Sequence, residues 1–117
     1  MFLLWGDSMK FGRGKVRKKL ELTHGEILGQ VRDYLRLKGF FVIPILQGLG
    51  CHPGISDLVA VGREHSQAPL SLTLWIEIKT LKGNLSDKQM QFSRDIHEHG
   101  GLYLTIHSLE EIQEWVK

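Results

Sequence analysis

One cysteine, three prolines and no long apolar run set the first limits on this 117-residue chain. The lone thiol, Cys51, cannot build an internal disulfide framework and fits a reducing compartment. No stretch reaches the ~18 consecutive apolar residues that a membrane-spanning helix needs. Met1-Phe2-Leu3-Leu4-Trp5 is apolar but stops at Gly6-Asp7, with no basic lead and no long hydrophobic region. It reads as a poor signal peptide, so a cytoplasmic protein is expected. Net charge is also small, at +2. With 42% hydrophobic and 24% charged residues, the composition is that of one ordinary globular domain with a real core. A collagen, a coiled coil and a wholly disordered chain are excluded.

The small net charge hides an asymmetry. Lys10 to Lys38 holds nine Lys/Arg against three acids, while Gly39 to Lys117 holds six against nine. The densest basic stretch is Lys10, Arg13, Lys15, Arg17, Lys18 and Lys19. A basic arm beside an acidic body suggests a polyanion partner such as nucleic acid. A solubilising tail is the alternative.

Residues 1–22 read as a basic lead and 23–117 as a single domain; Met9 is a second candidate start. Thr23 followed by Glu26 is a capping box opening a helix with Ile27, Val31, Tyr34, Leu35 and Leu37 at helical spacing. Lys38-Gly39 ends it. Phe40 to Ile43 predicts a short strand, Gln47 to Gly54 a loop, Asp57 to Val61 a second strand and Ser71 to Thr80 a third. Ser86 caps a helix with Met90, Phe92 or Ser93, and Ile96 turned inward, closed by Gly100-Gly101. Leu102 to Ile106 predicts a fourth strand, and Ser108 caps a last helix with Leu109, Ile112 and Val116 on one face. The order αβββαβα, without internal repeat, predicts an α/β fold with a central mixed sheet. Apolar runs without strict alternation predict helices on both faces of it.

The third strand, Leu74-Trp75-Ile76-Glu77-Ile78-Lys79-Thr80, carries the chemistry. Side chains alternate along a strand, so Leu74, Ile76 and Ile78 point into the core while Glu77 and Lys79 share the other face. Charges in an apolar strand are costly unless they pair or bind something. An ion pair on a solvated face is one explanation. Asp57, where the glycine-rich loop enters the second strand, offers another, because two carboxylates on neighbouring strands make an oxygen-rich site of the kind Mg²⁺ or Mn²⁺ prefers. Asp57 could equally be an Asx-type cap. Two other constellations are set aside. Cys51, His52, His97 and His99 match no compact zinc spacing. Gly12-Arg13-Gly14-Lys15 lacks the glycine spacing and preceding strand of a phosphate loop.

Gly54-Ile55-Ser56-Asp57-Leu58-Val59-Ala60, with Glu77-Ile78-Lys79 twenty residues after Asp57, resembles the Asp…Glu-x-Lys core of the PD-(D/E)XK nucleases. Thr80-Leu81-Lys82-Gly83-Asn84-Leu85-Ser86-Asp87-Lys88-Gln89 narrows the resemblance to the VRR-NUC domain, the virus-type replication-repair nuclease, in its stand-alone phage form. The similarity covers about residues 23–117. Ser56 departs from the proline often found there.

The resemblance implies a restriction-endonuclease-like core and a metal-dependent DNA endonuclease, acting in replication, repair or recombination in a bacterial host cell. It implies metal ligation by Asp57, Glu77 and the Ile78 carbonyl, with Lys79 orienting water or countering charge. Glu26 matches the family's acidic residue in the first helix, although it also serves the capping box. Gln89 matches a site glutamine, with a solvated helix position as the alternative. Lys82 joins the basic arm as a DNA contact. No base-reading motif is present, so recognition rests on backbone and shape. A homodimer acting on branched DNA such as a Holliday junction is expected, joined through Phe2 to Trp5 or Trp115. A non-catalytic nucleic-acid-binding module is the rival; a small-molecule α/β enzyme ranks below both.

Overall fold

Thr23 opens the first helix, α1 (His24–Leu37), by a reciprocal cap. Its Oγ1 accepts the Glu26 N–H at 3.2 Å, and its own N–H donates to Glu26 Oε1 at 2.8 Å. Ile27, Val31 and Leu35, four residues apart, form the buried stripe. Leu37, expected to join them, is exposed. It follows Leu35 by two residues, about 200° further round the helix. Gly39, at φ +93°, turns the chain out of α1.

The computed structural model describes residues 21–63 and 71–117. The basic stretch Lys10–Lys19 and the Phe2–Trp5 cluster lie outside the described residues. The elements after α1 are β1 (Phe41–Pro44), β2 (Leu58–Gly62), β3 (Leu72–Ile78), α2 (Asp87–Glu98), β4 (Leu102–Ile106) and α3 (Leu109–Trp115). This is the expected order. β2 begins one residue after Asp57, and β3 ends at Ile78, so Asp57 and Lys79 flank the strands instead of lying within them.

The four strands form one mixed sheet in the order β1-β2-β3-β4. β1 to β3 are antiparallel and β4 runs parallel to β3. Pro44 closes β1, an edge strand, where a missing N–H is tolerated. Val42, Leu58, Ala60, Leu74, Ile76, Ile78, Leu104 and Ile106 pack with α1 and Ile112 of α3 as the core. Tyr34 ties α1 to the C-terminal segment, its hydroxyl donating to the Val116 carbonyl at 2.6 Å.

The opposite face carries Trp75 and Tyr103, a register pair across β3 and β4. Phe92, the buried residue of α2, meets both edge-on, with ring centroids 5.6 and 5.9 Å apart. Met90, expected inward, is exposed. Among the described residues α2 lies over the β3–β4 side, and Phe41 on β1 stays 69% exposed. Among the described residues no helix is long and apolar enough to cross a membrane.

Candidate active site

The loop before β2 is held by backbone bonds at both ends. The Ile45 N–H donates to the Asp57 carbonyl at 2.8 Å, and the Asp57 N–H to the Ile76 carbonyl at 3.0 Å. Gln47 reaches back with Nε2 to the Ile55 and Ser56 carbonyls, at 3.3 and 3.2 Å. Ser56 is fully buried, and its hydroxyl donates to the Leu58 carbonyl at 3.0 Å. The position tolerates serine because its one polar group is satisfied.

Asp57 thereby projects its carboxylate past the start of β2 toward β3. Oδ2 accepts the Ile78 N–H at 2.8 Å and lies 3.2 Å from His24 Nε2. Within a strand a residue's N–H and C=O point to the same side. The Ile78 carbonyl therefore points to the β2 side of β3, as its N–H does.

Glu77 leaves β3 on the face away from α1 and is 3% exposed. Its Oε2 accepts from Gln89 Nε2 at 3.0 Å, and Lys79 Nζ stands 3.9 Å away. Oε1 has no hydrogen-bond partner among the described residues. Burial pushes the Glu77 carboxyl up to about 8. The Asp57 charge adds to this, and the Lys79 ammonium opposes it.

Gln89 reaches Glu77 because α2 starts where it does. Gln89 Oε1 accepts the Ser86 N–H at 2.9 Å while its own N–H donates to Ser86 Oγ at 3.1 Å, a second capping box. The leftover amide hydrogens of the same side chain face β3. Capping and site support are one interaction.

Tyr103 completes the wall. It is diagonal to Glu77 across the β3–β4 register and 5% exposed. Its hydroxyl has no partner among the described residues. Burial, then the Glu77 and Asp57 charges, raises its pKa.

The fold therefore brings together Asp57, Glu77, Lys79, the Ile78 backbone and Gln89. Glu26 stays with its own helix, its carboxylate on the Thr23 N–H, and His24 is the α1 residue that reaches Asp57. Lys82 is exposed in the turn after β3. Among the described residues no three of His, Cys, Asp and Glu cluster as a metal set, and His52 packs against Phe92 at 5.4 Å. A cavity of about 490 Å³ lies between Leu22, Ile27, Leu81, Lys82 and His107, apart from the carboxylates.

The donor set fits a hard divalent cation. Asp57 and Glu77 each have one oxygen engaged by donors, and Glu77 Oε1 is buried without a partner among the described residues. The Ile78 carbonyl would be a third oxygen donor. The sequence alone does not single out His24, Tyr103 or Gln47. Alternation along β4 puts Tyr103 and Thr105 on one face, but only the register with β3 sets them beside Glu77.

The profile of the VRR-NUC domain matches residues 46–109, more than half of the chain. That span runs from the loop before Asp57 through Gln89 to the start of α3. No curated protein and no solved structure matches the chain.

Proposed function

The chain belongs to the VRR-NUC family and is a nuclease of the PD-(D/E)XK type, and on that premise we propose a metal-dependent endonuclease that hydrolyses DNA phosphodiester bonds. The observation that carries this reading is the buried Glu77, with its Oε1 unpartnered among the described residues, beside the half-buried Asp57 at the adjoining ends of two paired strands. Asp57, Glu77 and the Ile78 carbonyl would hold one Mg²⁺ or Mn²⁺. A divalent cation bound there polarises a phosphoryl oxygen and acidifies water.

The chain's own residues do the rest. Gln89 fixes the Glu77 carboxylate through Oε2. Lys79, on the same oxygen's side at 3.9 Å, orients the attacking water or counters charge on the phosphate. Burial of Glu77 keeps bulk water from competing for its oxygens. Glu26 serves in this reading as the cap that sets the start of α1.

Finer points extend the same proposal. The arm Lys10–Lys19 and Lys82 supply phosphate contacts without base readout. A homodimer acts on branched DNA such as a Holliday junction in the cytoplasm, because one chain carries one Asp57/Glu77/Lys79 site and a two-fold pair doubles it. The exposed Trp115 is the described candidate for that interface.

The test is incubation of plasmid and four-way-junction DNA with EDTA, Mg²⁺ or Mn²⁺, using wild type and Asp57→Asn. Metal-dependent nicks in wild type, with cleavage lost and DNA binding kept in Asp57→Asn, are expected. Cleavage by Asp57→Asn at the wild-type rate would overturn the assignment. DNA binding by wild type with no cleavage in any metal would favour the non-catalytic module. Light scattering at one chain mass at micromolar concentration would remove the dimer.

A further inference from the structure

Building on the metal-dependent reading above, we infer that His24 is a positioning residue that sets which oxygen of Asp57 is offered to the cation. Asp57 Oδ2 has two lone-pair directions, and two donors face it: the Ile78 N–H at 2.8 Å and His24 Nε2 at 3.2 Å. A carboxylate torsion is broad and nearly two-fold, so one hydrogen bond leaves the group free to rock and to exchange its oxygens. A second donor from a different element, α1 against β3, removes that freedom. Oδ2 is then taken up by the protein, and Oδ1 is left to the metal.

His24 is placed for this by the start of its own helix. The Thr23–Glu26 capping box fixes the first turn, and His24 is the first residue inside it. Its side chain is 46% exposed, so it contributes little to the core and its contact with Asp57 is its main interaction. A carboxylate oxygen only accepts, so the Nε2 position must carry the hydrogen. A glutamine amide can present a donor at a similar reach. These facts also give the capping box a purpose beyond helix stability, since moving the first turn moves the second donor.

The experiment is Mn²⁺ titration of the intact protein by calorimetry, with His24→Ala, His24→Gln and Asp57→Asn beside wild type. Loss of a group that orients a ligand typically costs 10–100-fold in metal affinity. His24→Ala is expected to bind Mn²⁺ about 10-fold more weakly, with an unchanged thermal midpoint. Its cleavage defect should be recovered by raising Mn²⁺, with the KM for DNA unaltered. His24→Gln should bind Mn²⁺ close to wild type. Unchanged Mn²⁺ affinity in His24→Ala, or His24→Gln as weak as His24→Ala, would overturn the inference while leaving the nuclease reading intact provided Asp57→Asn still loses the ion. Wild type that binds no Mn²⁺ would overturn both.

Discussion

Gly54 lies directly against Lys88, so close that a Cβ on Gly54 would collide with the Lys88 carbonyl and come within 2.8 Å of the Gln89 nitrogen. Its φ of +77° is also left-handed. The loop that carries Asp57 and the helix that carries Gln89 are therefore locked at a point of backbone contact, and only glycine fits on both counts.

Gly54→Ala should destabilise the protein by about 2 kcal/mol or more, because neither backbone can yield without displacing a site residue. Urea unfolding would measure it. Gly29→Ala is the control. Gly29 is inside α1, where a Cβ meets only the end of the Arg32 side chain at 3.7 Å. It should stabilise by about 0.5–1 kcal/mol. A neutral Gly54→Ala would show that the loop and α2 can separate.

The buried Glu77 carboxyl should make the metal-free protein lose stability as pH rises. Its ordinary pKa of 4.5 becomes about 8 in the fold. Below pH 4.5 both states are protonated and no difference arises. Between the two values the unfolded chain has released the proton and the folded chain has kept it, so stability falls with pH and levels off above about 8. Thermal melts in EDTA from pH 5 to 9 should show this decline. Glu77→Gln should abolish it and melt about 5 °C or more higher at pH 8.5. Mn²⁺ should rescue the wild type at that pH by binding the folded state alone. A wild-type profile parallel to that of Glu77→Gln would show that Glu77 does not titrate with a raised pKa.

Gln89→Glu separates helix capping from site support. A glutamate keeps an acceptor for the Ser86 N–H, so α2 should form normally by circular dichroism. It replaces the Nε2 donor to Glu77 with a carboxylate beside a carboxylate. Cleavage should fall about tenfold or more, and Mn²⁺ affinity should change with it. Full activity in Gln89→Glu would mean that the bond to Glu77 is incidental.

Lys79→Ala should inactivate cleavage while leaving metal binding in place, because the ammonium counters charge without offering a ligand oxygen. If Lys79→Ala cut DNA at the wild-type rate, the lysine would be only the ion-pair partner of Glu77.

Deleting residues 1–19 should flatten the salt dependence of DNA binding. On duplex DNA the log–log slope should shrink by about 0.9 for each phosphate that the arm no longer neutralises. Filter binding across a salt series reads it directly. An unchanged slope would leave the arm a solubilising tail.

Local chemistry makes much of this protein legible in its sequence. Thr23 with Glu26, Ser86 with Gln89 and the cap before α3 mark helix starts because the groups that satisfy each other are three residues apart. Glu77 and Lys79 declare themselves because charge in an apolar strand needs a reason, and the motif running on to Gln89 points to the family that the profile match bears out. What lies between distant elements is hidden. His24 and Asp57 are 33 residues apart, and their contact depends on how α1 crosses the sheet. Tyr103 joins Glu77 only through the parallel register of β3 and β4. The apolar runs cannot reveal that, among the described residues, α2 leaves the Phe41 side of β1 uncovered, because hydrophobicity records how much surface wants burial and not which element arrives to cover it. Helical and strand periods are set by neighbours along the chain, but register and crossing geometry are set by packing across it. For this reason the candidate site residues are readable one by one, while the arrangement that aims them is decided by the tertiary structure.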